Sequence, residues 1–530
     1  MRIKPPYRWL YRELSQLKRG WWMACMVLPI GCAVGPNFHR PTAPPIQHYT
    51  EYPIPKKTVA THTIGGVQQH FNIQQHITKQ WWTVFHSPAL NHLVQEAIEA
   101  NPDMHAASAS LQIAHEARKV AQTAFFPTLT GNYNPVRQLT AGTLSSNLSS
   151  NAYLYTLTTE SLSVAYLPDV FGITRRNVES AAALEEASLY QYEAVYVTLT
   201  SNVVLTAINE ASLREQIATT QRIIKILREL LQAFVKQKKF GNVGVEAIAE
   251  QQAVLAQAEA SLPILRLQLA QNRHLLASLL GRYSSEHLKE RFTLRDFVLP
   301  QELPLSLPSQ LIDQRPDIRA AEANMHAASA QIGVAIANRL PSVPISAGGG
   351  YLPVTQSLNT IPYFLPPLPL GSSLFWNLGA NLMGTIFDGG ALYFKHRAAE
   401  AAYNLSVDQY KRVVLNACQS VADSLKALEL DAKALQYTKQ QVEAAEKGFQ
   451  AVKHKHQLGS ASYLELLFAE NAYLSALLSL VQSQSTRFSD TVALFQALGG
   501  GWSMVQSDDL DKKVGSAELL IRNPWAQRHD

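Results

Sequence analysis

Leu374, Trp376, Leu378, Ala380 and Leu382 alternate along the chain with Asn377, Gly379 and Asn381. That two-residue period predicts a strand with one apolar and one polar side. Weaker patterns of the same kind predict strands at about 128–138, 152–167 and 342–353, with the fourth at 373–387. Such strands suit either a half-buried sheet on a soluble core or the wall of a barrel. Between them the pattern changes. Residues 173–240 contain no Gly and no Pro, and residues 391–458 contain only Gly448. Both stretches are rich in Ala, Leu, Glu and Gln. At about 1.5 Å per residue each predicts a helix of roughly 100 Å. Helices of that length need a partner along their whole course, as in a coiled coil.

The two halves follow one plan. Asn101-Pro102-Asp103-Met104 through Pro127 aligns without gaps to Arg315-Pro316-Asp317-Ile318 through Pro341, at an offset of 214. Downstream the offset is 218: Gly172 falls on Gly390, Gly241 on Gly459, and Leu280-Gly281 on Leu498-Gly499. Repetition at a fixed offset marks a duplicated structural unit. Each copy reads helix, two strands, very long helix, tight reversal, returning helix. The reversals fall at Gly241-Asn242-Val243-Gly244-Val245 and Gly459-Ser460-Ala461-Ser462, where Gly beside Asn or Ser favours a turn. The returning helices are expected at 245–280 and 461–498, with Pro263 kinking the first.

Four strands of 10–15 residues are long enough to cross a bilayer, which takes about 9–11. They are too few to close a barrel, since the smallest membrane barrels have about eight. An open sheet in lipid leaves backbone groups unpaired at several kcal/mol each. If the strands lie in a membrane, several chains must share one barrel. Three would supply twelve strands, with Asn377 and Asn381 facing a wet lumen.

Composition narrows the function. Of 530 residues 47% are hydrophobic, which excludes general disorder. No run of about 20 apolar residues occurs, which rules out a polytopic helical membrane protein. The net charge of +5 arises from 46 basic and 41 acidic residues, but residues 1–20 hold six of the basic ones and one acid. Without residues 1–31 the chain is formally neutral, so no nucleic-acid partner is expected. Residues 1–20 are a basic leader, 21–30 a short apolar core, and Gly31-Cys32 follows. The layout resembles a bacterial lipoprotein leader, with Pro29 where that pattern usually has Leu. By that resemblance Cys32 carries a covalent lipid, and Ala33 in place of Asp favours the outer membrane. Ordinary signal cleavage, leaving a free thiol, is the alternative. Three cysteines (Cys25, Cys32, Cys418) fit neither a disulfide framework nor a zinc site.

Cys32-Ala33-Val34-Gly35-Pro36, Pro168-Asp169-Val170-Phe171-Gly172, Arg315-Pro316-Asp317-Ile318-Arg319-Ala320-Ala321-Glu322-Ala323, Phe387-Asp388-Gly389-Gly390 and Leu498-Gly499-Gly500-Gly501-Trp502 together carry a further resemblance. The chain resembles the TolC-type outer-membrane efflux factors, in their NodT-like lipoprotein branch. The resemblance implies an α+β membrane protein: a homotrimer with a 12-stranded outer-membrane β-barrel, four strands per chain, continuous with a long periplasmic α-helical coiled-coil barrel. On this plan 1–31 is a signal peptide and 32–60 a lipid-anchored extended segment. Residues 61–281 are the first repeat, 282–314 an equatorial linker, 315–502 the second repeat and 503–530 an equatorial tail.

The implied function is passive conduction out of the cell. An inner-membrane RND transporter and a periplasmic adaptor would deliver drugs or other toxic compounds to the trimer. The reversals at Gly241–Val245 and Gly459–Ser462 would be the adaptor-contact tips. The family often carries acidic rings just inside the tip, and Glu465 stands at such a position. Phe468 would form an apolar constriction, with Glu250 and Glu470 as further entrance candidates. For each glutamate a solvated helix face is the alternative. Lys453, His454, Lys455 and His456 read as a metal site or as a wet helical surface.

No Gly-x-Ser-x-Gly elbow, phosphate loop or His-Glu-x-x-His occurs. The expectation is therefore no catalysis, no metal and no cofactor beyond the lipid. The outer channel of a type I protein secretion system is an alternative within the same architecture. A non-channel periplasmic coiled-coil scaffold is another; it accounts for the helices but not for the recurring strand pairs.

Overall fold

A computed structural model describes residues 33–42, 45–46, 48–72, 77–139, 154–240, 244–351, 354–355 and 374–501. The leader with Cys32, the tip residues Gly241, Asn242 and Val243, most of both strand-connecting loops, Trp502 and the tail 503–530 lie outside the described residues.

The duplication is visible in matched lengths. Helices α1 (Pro88–Ala100) and α2 (Pro102–Thr123) lead into strands β2 (Thr128–Leu139) and β3 (Leu154–Tyr166), after a short β1 (His70–Asn72). Then come α3 (Ile173–Lys238, 66 residues) and α4 (Val245–Leu279, 35 residues). The second copy has α5 (Pro308–Gln314) and α6 (Pro316–Ala337), preceded by β4 (Glu302–Pro304). Strands β5 (Ile345–Tyr351), β6 (Val354–Thr355) and β7 (Leu374–Ala380) follow. The copy closes with α7 (Ala391–Gln457, 67 residues) and α8 (Tyr463–Ala497, 35 residues). Both α2 and α6 have 22 residues and open on Pro, whose missing N–H costs nothing in a first turn. Helix α4 runs through Pro263 without ending there.

The third and fourth strands are shorter than the sequence pattern suggests. Pro344 cannot donate to a ladder, so regular pairing of β5 starts at Ile345. Beyond Ala380 one isolated bridge, Ser342 to Met383, prolongs β7. Asn381 therefore lies one residue past the strand, with its N–H on the Pro344 carbonyl at 3.0 Å.

The chain divides into two compact units, each drawing on both repeats. One comprises Met1–His39, Ala114–Glu185 and Asn324–Val407; the other comprises Arg40–Ile113, Glu186–Ala323 and Asp408–Asp530. The first contains the antiparallel sheet in the order β2-β3-β5-β7, with β6 also on β3. The second contains a core built where the returning helices end.

In that second unit each repeat closes on itself by an equivalent contact. The Asn101 amide donates to the Leu279 carbonyl at 2.9 Å, and the Arg315 guanidinium donates to the Ala497 carbonyl at 2.7 Å. Both acceptors are the last residues of returning helices, whose terminal carbonyls lack helical partners. Each helix then ends in a Schellman motif. Arg282 and Gly500 donate back to the Ala277 and Phe495 carbonyls, across Gly281 and Gly499 at φ +68° and +92°. A Cβ on Gly281 would lie 2.3 Å from the Ala100 carbonyl oxygen, and one on Gly499 would lie 2.5 Å from that of Gln314. The Leu-Gly endings thus allow two backbones to touch.

Strands β1 and β4 pair in parallel, His70 with Glu302. Trp81, fully buried, stacks on Phe495 of α8 at 5.3 Å. Beside them Arg487 is wholly buried and donates to the Leu428 carbonyl (2.9 Å) and the Gln69 Oε1 (2.6 Å). Gln69, equally buried, also donates to the Pro300 carbonyl and Thr491. One guanidinium and one amide thus tie β1, β4, α7 and α8 together. Helix α8 is the one described helix long and apolar enough to cross a bilayer, with an 18-residue window of mean hydropathy 1.4. It passes on its average, although polar residues such as Glu470 and Asn471 interrupt every apolar run in it. Its buried Glu470, Gln484, Arg487 and Thr491 face protein, which is the mark of a core helix.

Candidate channel wall, anchor and periplasmic entrance

The sheet register separates two chemistries. Directly opposed residues share a face, so the pairs Leu129–Val164, Gly131–Leu162, Ala347–Leu378, Gly349–Trp376 and Tyr351–Leu374 define one side. Over this stretch it is apolar apart from Glu160, which stands between Tyr133 and Tyr351; further along β2 and β3 the register adds Arg137 and Thr158 to the same side. The opposite side carries Thr128, Thr130, Asn132, Asn134, Thr159, Ser161, Ser163, Ser346 and Asn377. Both sides of the sheet are open in the single chain, the apolar one included: Leu374, Trp376 and Leu378 are 79%, 78% and 71% exposed. A soluble half-buried sheet would cover that side first, so the soluble-core alternative does not fit. Gly348 leaves room for the Asn377 side chain, because a Cβ there would lie 2.6 Å from its Oδ1.

Both strand-to-helix junctions are capped by aspartate. Asp169 accepts from the N–H groups of Thr174 and Arg175, and Asp388 from those of Gly390 and Leu392. The hydrogen bond from Leu392, with those of Gly390 and Ala391, holds the Asp388 carboxyl below its ordinary range against a smaller effect of desolvation.

In the same unit the segment that follows Cys32 is gripped at the first of these junctions. The Val34 N–H donates to the Phe171 carbonyl at 3.1 Å. Arg176, nearly fully buried, donates to the Val34 and Gly35 carbonyls and to the Asn37 Oδ1. Its remaining amino group meets Glu179 at 2.7 Å, Glu179 meets His326 at 3.0 Å, and the His326 ring stacks on Phe38 at 4.4 Å. Burial pushes the Glu179 carboxyl up, but Arg176 and His326 outweigh it and hold it below its usual range. Sequence reasoning missed this clamp; its arginine is the second basic residue of an unremarkable Arg-Arg pair. The clamp leaves Ala33 against Gly172, at the end of β3.

In the other unit the long helices reverse. Helix α7 ends in a Schellman motif: Ser460 donates to the Lys455 carbonyl and Gly459 to that of His456, with Gly459 at φ +75° and open space around it. Ser462 and Glu465 form a reciprocal capping box that starts α8, at 3.2 and 3.3 Å. At the other reversal Gly244 is the N-cap of α4 and Val245 is 62% exposed. Phe240 and Leu458, the residues before the two turns, are 80% and 70% exposed.

The four entrance candidates do not share one environment. Glu250, Glu465 and Phe468 are exposed, whereas Glu470 is buried at 1% exposure. The structure thus places Glu470 inside the helix packing and not on an open face. It belongs to the stripe Leu466, Glu470, Leu474, whose spacing of four puts it in line with core leucines. His456 donates from Nδ1 to the Ala461 carbonyl at 3.1 Å, and His454 is exposed. Among the described residues no group of three His, Cys, Asp or Glu is placed to hold a metal.

Comparison with known proteins places these features together. A family model described as outer membrane efflux protein matches residues 93–282 and 307–500. Nodulation protein T of Rhizobium leguminosarum bv. trifolii is 26% identical over 478 residues, covering 90% of this chain and 96% of the relative. The cation efflux system protein CusC of Escherichia coli K12 is 26% identical over 479 residues, covering 90% and 98%. Among solved structures, the outer-membrane channel OprN superposes with a TM-score of 0.75 at 25% identity, covering 89% of this chain and all of that one.

Proposed function

The chain belongs to the outer membrane efflux protein family, and from that premise we propose that three copies close one 12-stranded barrel and act with a periplasmic adaptor and an inner-membrane pump. It is an outer-membrane efflux channel subunit. The observation that carries the trimer is the sheet itself. Among the described residues its edge strands β2 and β7 have no second neighbour, and its apolar side is bare. Pairing β2 of one copy with β7 of the next satisfies both edges, turns Leu374, Trp376 and Leu378 to lipid, and leaves Asn377 and the Thr/Ser/Asn side facing water.

Conduction through such a wall is passive. Energy comes from the pump, here expected to be of the RND type, and the channel supplies an aqueous path. The hairpin ends around Val245 and Gly459–Ser462 are the adaptor contacts in this reading, and Glu465 rings the entrance. A lipid on Cys32 would sit at the periplasmic rim of the barrel, because the Arg176 clamp holds the following residues at the end of β3. Native mass spectrometry together with planar-bilayer recording tests the proposal. A trimer with a cation-preferring pore is expected; a monomer without conductance would overturn it.

A further inference from the structure

Beneath the tip, two apolar clusters staple the four long helices. Leu230, Phe234, Ile248, Phe449 and Leu466 form the one nearer the reversals, and Ile223, Leu227 and Leu474 the next. Tyr473 touches both. Between them in sequence register lie two polar side chains, Gln251 of α4 and Glu470 of α8, 0% and 1% exposed. Neither carboxyl oxygen of Glu470 has a well-formed hydrogen bond, although the Gln251 amide stands alongside. The Gln251 Oε1 is occupied by the Tyr463 hydroxyl at 3.4 Å. An acid in such a place is costly when charged and tolerable when neutral.

We propose that Glu470 is a proton-operated latch of the periplasmic entrance: the four-helix packing below the tip closes around the neutral carboxyl and loosens when the proton leaves. The inference rests on reading the hairpin ends as the entrance. Two groups act on the carboxyl directly, the Gln251 amide of α4 and Lys453 of α7; the remaining titratable side chains here stand around those partners. Lys453 of α7 is the cation that acts on it, and His456 shares a pocket of about 220 Å³ with Lys453, Tyr473 and Glu229 of α3. Glu250 of α4 and Tyr463 of α8 complete the set, and Glu250 acts on the Tyr463 hydroxyl together with Glu470. Desolvation dominates over the Gln251 hydrogen bond and the Lys453 charge, and raises Glu470 from 4.5 to about 7.

The sign follows directly. The closed packing keeps a proton that an exposed glutamate loses near 4.5, so closure is favoured most at low pH. That preference is lost as the pH rises from about 4.5 through 7 and is flat above. A shift of that size corresponds to a change of about 300-fold in the closed-to-open ratio, if opening fully hydrates the carboxyl.

The test uses the full chain in detergent, with Phe240→Cys and Leu458→Cys as spin-label sites and Cys418→Ser. Distances between the two hairpin ends are measured by electron paramagnetic resonance from pH 5 to 8.5. With Glu470 present the distribution should lengthen as the pH rises towards 7 and change no further above it, and stay short at every pH in Glu470→Gln and Glu470→Leu. A pH response unchanged in both variants, or no response with Glu470 in place, overturns the proposal. Bilayer conductance recorded alongside keeps the two readings apart. Absence of a pore at all pH values would refute the entrance, while the distances would still decide the latch.

Discussion

Replacing Arg487 by Met strips one guanidinium from the centre of the second unit. Two acceptors, the Leu428 carbonyl and the Gln69 Oε1, lose donors at 2.9 and 2.6 Å in a fully buried place. Each unsatisfied group costs about 1–3 kcal/mol. The neighbouring Asp431 and Asp490 also lose their cation, whose pKa burial lowers to about 10 against their pull. Breaking a buried charge cluster typically costs about 3–5 kcal/mol. Because Met fills much of the same volume, the expected loss is about 3–5 kcal/mol and not their full sum. Urea unfolding followed by helical circular dichroism at fixed protein concentration measures it. Adding Gln69→Met removes one orphaned acceptor, so the double variant should recover at least 1 kcal/mol relative to additivity. A single-variant cost under about 1 kcal/mol, or strictly additive effects, would refute the view that this node holds β1 and β4 on the helices.

Other expectations follow from the same contacts. Burial and the adjoining Asp431 raise Asp490, so the folded chain keeps a proton the unfolded chain loses, and stability should fall as pH rises through the folded-state value. Asp490→Asn should flatten that fall in a melting series. Glu465→Gln keeps a capping-box side chain but removes charge, so reversal potentials should show weaker cation preference; unchanged potentials would remove Glu465 from the pore. Cysteines placed one on β2 and one on β7 should form disulfides between chains and never within one, read on non-reducing gels. Cys32→Ser should abolish palmitate labelling and leave the trimer intact, and an unlabelled parent protein would show that Pro29 spoils the leader.

Much of this architecture was legible because duplication repeats its own evidence. Two Gly- and Pro-poor stretches of equal length and two Leu-Gly endings fix the helices and their turns. Strands β2 and β3 are found near their expected limits, whereas β5 and β7 stop short, because a backbone N–H missing at Pro344 is invisible to an alternation count. The fate of the glutamates was harder to see. Glu250, Glu465 and Glu470 look alike in sequence, and the Leu466–Glu470–Leu474 spacing was the available hint that one of them is interior. Gln69 carried no hint at all. It lies before a three-residue strand, and its side-chain partners are hundreds of residues away.

The contact by which each copy closes on its returning helix is equivalent in place but not in kind. Asn101 grips its helix end through a neutral amide; Arg315 does so through a cation that is itself held by Asp317 at 2.7 Å. Closed into the three-chain ring proposed above, such subunits alternate two sorts of helix-end contact, one neutral and one charged. Added salt should therefore weaken the Arg315 contact of each chain more than its Asn101 counterpart.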